Sequence, residues 1–430
     1  MKIAVIGLWH LGLVTAACLA TSGHEVVALA DDAAALEALL SGQLPIFEPG
    51  LDEMIAEARR AGTLRFSVDP QVLGRAELVW ITHDTPVDDD DRADVAFVSE
   101  RVIALFPALG PATLVLVSSQ LPVGSTAALE QAYRRAAPHG TATFAYSPEN
   151  LRLGQAIDAF TRPERVVVGL RDAHDRGRLE TVFRPYTENI LWMAVESAEM
   201  TKHALNAWLA MSVAFINEIA TLCERTGADV GDVSKGLKSD IRVGQRAYLR
   251  PGSAFAGGTL ARDIVFLSEV ATQHGLSLEV APAIRRSNLQ HRQWVRQRVR
   301  QLIPELRGKR VALLGLTYKP GTDTLRRSTA IEVARWLAAE GAGITAWDPA
   351  LRALPTELAS FIALQQSAQG ALSGAVAALV MTECPEFREI SAGDLLTWMA
   401  TPLVLDAGRY LEQNLARDER VMYRSVGRSV

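Results

Sequence analysis

Residues Gly7-Leu8-Trp9-His10-Leu11-Gly12 join an apolar run at 2–6 to a helix-like run at 11–21. A glycine turn between a strand and a helix can cradle the pyrophosphate of a dinucleotide. The pattern is G-x-G-x-x-G, whose second glycine lets the backbone approach the phosphates. An acid ending the second strand holds the ribose. Here Trp9 takes the second glycine position and Ala30 ends the second strand. An indole fills the space the pyrophosphate needs, and losing the ribose hydrogen bond costs about 1–3 kcal/mol. Asp31 and Asp32 follow, but adjacent strand residues face opposite ways. The turn therefore predicts a Rossmann-like fold with a degenerate dinucleotide site, Gly7 and Gly12 keeping a structural use. His10, His83 and Asp84 fall near it. Two histidines without a third ligand predict isolated surface histidines and no metal. The acidic run at 88–91 predicts a solvated loop. Cys18, Cys223 and Cys384 are far apart, which excludes a disulfide framework and a cysteine-built zinc site and predicts core thiols.

The elements that must carry these residues follow from the chain's patterning. Its 430 residues are 49% hydrophobic and 22% charged, with net charge -5. That length predicts more than one domain, and the composition excludes disorder and a general electrostatic case for nucleic acid. Residues 3–23 carry no charge and imitate a signal peptide or membrane span, but three glycines and His10 interrupt them. A soluble cytoplasmic protein without a membrane partner is expected. Strand-like runs at 3–6, 25–29, 78–82, 113–118, 143–146, 165–169 and 190–194 alternate with helical stretches, predicting a parallel sheet covered on both faces. From 197 to 301 the pattern is helical. Residues 281–302 predict one helix whose arginines form a solvated basic face. Alternation resumes with strands at 309–315, 343–347, 377–381 and 403–406. The predicted architecture is α/β: two Rossmann-like, doubly wound domains, 1–196 and 302–430, joined by a central helical domain, 197–301.

Several motifs together resemble the UDP-glucose/GDP-mannose dehydrogenase family. They are the N-terminal run from Lys2 through Gly12 to Ala20, Pro45-Ile46-Phe47-Glu48-Pro49-Gly50-Leu51, Asp84-Thr85-Pro86, Pro122-Val123-Gly124 and Ser147-Pro148-Glu149. Ser197 through Lys202 with Asn206, Phe215 through Ala220, Leu316 through Pro320, and Asp406-Ala407-Gly408-Arg409 complete the series. The resemblance spans almost the whole chain in order. It implies an N-terminal Rossmann domain, a dimer built on a central helix, and a C-terminal domain holding a nucleotide sugar. Family members oxidise a sugar C6 alcohol to a carboxylate with two NAD molecules, through a cysteine thiohemiacetal and thioester. That chemistry needs a thiolate, a lysine and asparagine to stabilise the oxyanion, and carboxylates for proton handling.

By this resemblance Lys202, Asn206, Asp263 and Glu149 are the catalytic set, and Thr259 stands at the cysteine position. Arg242, Tyr248, Leu249, Lys319 and Arg409 are substrate-binding, with Arg242 reaching the neighbouring subunit's sugar nucleotide. Gly7, Trp9, Gly12, Ala30, Thr85 and Arg326 mark the degenerate cofactor site. Gln120 and Leu153 replace a threonine and a glutamate of the family, and Arg326-Arg327 replaces an Arg-Glu pair. The replacements touch cofactor, nucleophile and water activation together. They predict a homodimeric homologue that keeps a nucleotide-sugar pocket without NAD-dependent four-electron oxidation. A two-electron or non-redox enzyme and an ordinary UDP-glucose/GDP-mannose 6-dehydrogenase are the alternatives. Base and sugar are unspecified.

Overall fold

A computed structural model describes residues 1–88, 91–256 and 258–428. The chain forms two compact units, Met1–Leu205 with Val265–Leu276, and Asn206–Ile264 with Ser277–Val430. The first is built on eight strands: β1 (Lys2–Ile6), β2 (Glu25–Leu29), β3 (Leu64–Ser67), β4 (Leu78–Ile81), β5 (Leu114–Val117), β6 (Thr143–Tyr146), β7 (Val166–Leu170) and β8 (Ile190–Ala194). Their order is β3-β2-β1-β4-β5-β6-β7-β8. All neighbours pair in parallel except β6 and β7, which are antiparallel, a departure from the all-parallel expectation. Side chains alternate between two buried faces. Ile3 and Val5 enter one core with Leu78 and Trp80, while Ala4 and Ile6 enter the other with Val79 and Ile81. Burial on both faces is why these strands read as continuous apolar runs.

Helix α1 (His10–Thr21) lies on the first face, with Leu13, Val14, Ala16, Ala17 and Leu19 buried. Its lack of charge thus belongs to a buried strand–turn–helix. Helix α2 (Ala156–Thr161) follows the loop after β6. Helix α3 (Val195–Thr226) is 32 residues long, its first part in one unit and the rest in the other.

In the second unit six strands, β9 (Arg310–Leu314), β10 (Gly343–Trp347), β11 (Ile362–Leu364), β12 (Ala377–Val380), β13 (Leu403–Asp406) and β14 (Met422–Ser425), run in the order β11-β10-β9-β12-β13-β14. Val311 and Leu313 face one core, and Ala312 and Leu314 the other. Helix α4 (Thr259–Gln273) begins in this unit. The single helix expected at 281–302 is two, α5 (Val280–His291) and α6 (Trp294–Leu302). Three of the six arginines on the expected solvated face are paired with carboxylates: Arg292 with Glu332 at 2.5 Å, the exposed Arg300 with Glu340 at 2.7 Å, and Arg298 with Glu224.

Candidate functional site

The glycine turn of the first unit is geometrically intact. Gly7 has φ +94°, and a Cβ there would meet the His83 backbone nitrogen at 2.5 Å. A Cβ on Gly12 would lie 2.1 Å from the Gly7 carbonyl oxygen and 2.7 Å from Thr82 Oγ1. That hydroxyl donates to the Ile6 carbonyl at 2.7 Å, pinning β4 to the turn. Trp9 is the N-cap of α1, in extended conformation with φ -100°, and makes no side-chain cap. The first N–H groups of an α-helix have no intrahelical acceptor, so those of α1 are available to an anion. The indole is 46% exposed. An exposed side chain of this kind changes rotamer readily. Ala30 is buried and gives its N–H to Ser67 at 2.8 Å, while the exposed Asp31 is the next carboxylate along. The turn and open helix end therefore fit a pyrophosphate. The usual ribose partner is absent from Ala30.

His10 and His83 are not isolated surface histidines. His83 is buried at 6% exposure, edge-on to Phe97 at 6.5 Å. Burial pushes its pKa below the ordinary 6.5, Arg101 adding to the shift and Asp31 opposing it. His10 Nε2 lies 2.8 Å from the buried Glu48 carboxylate. Thr85, expected at the cofactor, is buried and donates its hydroxyl to the Gln120 carbonyl at 2.8 Å. Asp88 accepts from the Arg92 N–H at 2.8 Å in a tight turn, and Asp89 and Asp90 of the acidic run lie outside the described residues.

The same unit seats Lys202. Its side chain, 6% exposed, donates to the Glu149 carbonyl at 2.5 Å and to Asn150 Oδ1 at 3.3 Å, with the Glu149 carboxylate 3.9 Å away. Glu149 also accepts from the Leu151 N–H at 2.7 Å. A buried ammonium held over a loop carboxylate suits oxyanion stabilisation and proton handling. Behind it, Glu199 accepts from the Gly124 and Thr126 N–H groups at 2.6 and 3.0 Å.

In the second unit Asn206 donates its amide to the Asp263 carboxylate, both buried. Thr259 is exposed at the first position of α4, after Gly258 at φ +109°. No relocated thiolate replaces it: burial pushes Cys18 and Cys384 up to about 12 and raises Cys223, and all three are buried. Lys319 lines a cavity of about 250 Å³ with Ser253, His291, Tyr318, Met381 and Ala407. The Lys319 ammonium sits 5.6 Å from the centre of the Tyr318 ring.

Other expected substrate residues divide. Tyr248 is 55% exposed, and Arg242 is exposed, paired with Asp240 at 2.7 Å. Leu249 is a core residue whose carbonyl accepts from Ser234 Oγ at 2.6 Å, so its side chain does not offer a ligand contact. The Arg409 guanidinium, at a residue with φ +56°, is bound to Asp229 at 2.9 Å and Glu412 at 2.7 Å. Burial opposes its charge, but the two acids outweigh it and hold the pKa above the guanidinium range. Its Nη1 is buried with no hydrogen-bond partner. Arg326 is exposed, and the guanidinium of Arg327 (φ +61°) approaches Gly258. Among the described residues no group of three His, Cys, Asp or Glu is placed to hold a metal ion.

Sequence reasoning gave no role to Glu48, Glu199 or the apolar stripe of α3. Trp208, Phe215 and Leu222 are 61%, 47% and 60% exposed. Their seven-residue spacing was the signal, diluted by the apolar residues around it. By length and composition α3 is also apolar enough to cross a membrane, although 44% of its most apolar window is buried in the protein.

Three family models match: the NAD binding domain of the UDP-glucose/GDP-mannose dehydrogenase family over residues 1–187, its central domain over 196–290 and its UDP binding domain over 312–413. The UDP-glucose 6-dehydrogenase of Rhizobium meliloti is 34% identical over 436 residues, covering 100% of both chains. That of Pseudomonas aeruginosa is 31% identical, covering 100% of this chain and 98% of its own. The structure of a UDP-glucose dehydrogenase from Pyrobaculum islandicum superposes with a TM-score of 0.89 at 28% identity, covering 100% of this chain and 98% of that one.

Proposed function

The chain belongs to the UDP-glucose/GDP-mannose dehydrogenase family, and from that premise we propose that it oxidises the C6 alcohol of a nucleotide sugar, with UDP-glucose the first candidate, using NAD. Relatives named UDP-glucose 6-dehydrogenase over the full length favour this over a protein without activity. The observation that carries it is the buried Lys202 ammonium held by Glu149 and Asn150. Bound NAD supplies the hydride acceptor. The glycine turn and the open N-terminus of α1 hold its pyrophosphate. Lys202 stabilises charge developing on the sugar oxygen, and Glu149 handles protons.

A second reading rests on Thr259. A threonine hydroxyl forms no thioester, and the three cysteines are buried with raised pKa values. Under this reading turnover stops at the aldehyde, or the chain binds its ligands without oxidising them. The stoichiometry of NADH to UDP-glucose decides. Two per sugar supports full oxidation, one a single two-electron step, and none, with UDP-glucose still bound, a binding protein. The exposed stripe Trp208, Phe215 and Leu222 supports a homodimer built on α3. Buried, reduced thiols suit the cytoplasm.

A further inference from the structure

Glu48 is only 2% exposed, and the proposed function gives it no task. A carboxylate taken out of water is tolerated only when its oxygens are matched by donors. Glu48 Oε2 faces His10 Nε2 at 2.8 Å and accepts from the Gly154 N–H at 2.7 Å, and Oε1 accepts from the Ala156 N–H at 2.8 Å. These donors come from two places. His10 is the first residue of α1, directly after Trp9 on the dinucleotide turn. Gly154 lies near the end of the loop that leads from β6 into α2, and Ala156 is the first residue of α2. The start of that loop carries Glu149 and Asn150, which hold the Lys202 ammonium. A line of direct hydrogen bonds and one short irregular segment thus runs from the cofactor turn to the catalytic lysine.

We propose that His10 and Glu48 are positioning residues that strap the dinucleotide turn to the seat of Lys202, so that dinucleotide and nucleotide sugar bind cooperatively. The inference rests on the proposed function, since it takes the turn to hold a dinucleotide and Lys202 to face the sugar. The loop between β6 and α2 has no regular structure and passes through Gly154 at φ +84°. A ligand seated on the turn fixes His10, and through Glu48 it fixes the far end of this loop. A second ligand at Lys202 then meets a segment already ordered, which is positive coupling without a large movement. Reciprocity requires the sugar nucleotide to tighten the dinucleotide by the same factor.

Calorimetry reads that factor with NADH, which takes no further hydride, titrated with and without saturating UDP-glucose. In the wild type UDP-glucose should tighten NADH at least about fivefold, the lower end of ordinary coupling. His10→Phe keeps a planar ring without the bond to Glu48 and should bring the ratio close to one. His10→Gln restores a donor and should keep most of it. His10 is partly exposed, with 15% of its side chain accessible, so both variants should fold. Merely structural damage would weaken both ligands and leave the ratio unchanged. A wild-type ratio in His10→Phe, or equal loss in both variants, overturns the strap while NADH binding stands. A wild-type ratio of one does the same. Failure of the wild type to bind NADH overturns the proposed function, and the strap with it.

Discussion

Replacing Lys202 by Met separates the catalytic from the structural use of a buried ammonium. Lys202 gives hydrogen bonds to the Glu149 carbonyl at 2.5 Å and Asn150 Oδ1 at 3.3 Å. Bonds from a charged donor contribute roughly 1.5–3 kcal/mol each, so counted alone the pair favours the folded state by about 3–6 kcal/mol. Against this stands the desolvation of an ammonium on a residue only 5% exposed, a cost of several kcal/mol. The Glu149 side chain keeps 26% of its surface accessible. Its carboxylate can turn to water when the lysine goes, so no charge is stranded. The opposing terms nearly cancel, and Lys202→Met should change stability by no more than about 1 kcal/mol in either direction. Activity should respond very differently. Removing a preorganised oxyanion donor lowers kcat by about 10²–10³. The assay pairs urea unfolding, followed by fluorescence, with NADH formation from UDP-glucose. Because the chain has two units, the comparison belongs to the transition that moves with mutations in the first. A loss above about 3 kcal/mol would mean that the ammonium is a structural linchpin. A kcat close to wild type would refute the catalytic assignment.

Three further outcomes are expected. Thr259→Cys places a thiol at the head of α4 and should raise the NADH yield per sugar if the missing nucleophile limits the second oxidation; an unchanged yield from an active variant counts against this. His83 has a pKa below the ordinary 6.5 because burial disfavours its cation, so the unfolded chain binds the proton more readily. Its contribution to stability is full above 6.5 and is lost as pH falls toward the folded-state pKa. His83→Leu should therefore flatten the decline of the urea midpoint between about pH 7.5 and 5, and an identical decline in both proteins would contradict the assignment. Phe215→Arg puts a charge in the α3 stripe and should shift sedimentation from dimer to monomer with little change in the helical circular dichroism; a persistent dimer would move the interface elsewhere.

The sheets were legible because their strands are buried on both sides. Continuous apolar runs such as residues 78–82 and 377–381 stand out, and the observed β4 and β12 lie inside them. The strands missed by sequence reasoning, β3, β11 and β14, are edge strands of the two sheets. Leu64-Arg65-Phe66-Ser67 and Met422-Tyr423-Arg424-Ser425 carry an arginine each, as edge strands commonly do. The arginine-rich stretch before β9 misled for a related reason. Charge patterning alone does not reveal that Glu224, Glu332 and Glu340 arrive from elsewhere in the chain to pair with it.

The candidate site was legible only as a set of residue types. Lys202, Glu149, Asn206 and Asp263 were found through motifs, and they are buried or half-buried with polar partners. What spacing could not supply is the direction in which each side chain is used. Arg409 and Thr85 bear the polar groups a ligand would want, yet both turn inward. Trp9 shows the converse. Its identity argues against a pyrophosphate, because the fingerprint assumes a residue at that place crowds the turn. Crowding depends on where the side chain points, and the indole is half in solvent while Gly7 and Gly12 keep the close packing that defines the turn. His10 bears on the turn as well as the missing glycine. Its ring meets Glu48, and Glu48 takes its other bonds from Gly154 and Ala156, where the loop carrying Glu149 and Asn150 runs into α2. A position that departs from the fingerprint thus sits beside one that makes a connection. Loss of the fingerprint therefore measures divergence in how the dinucleotide is gripped, and binding of the dinucleotide has to be judged from the turn, the open helix end and the strap together.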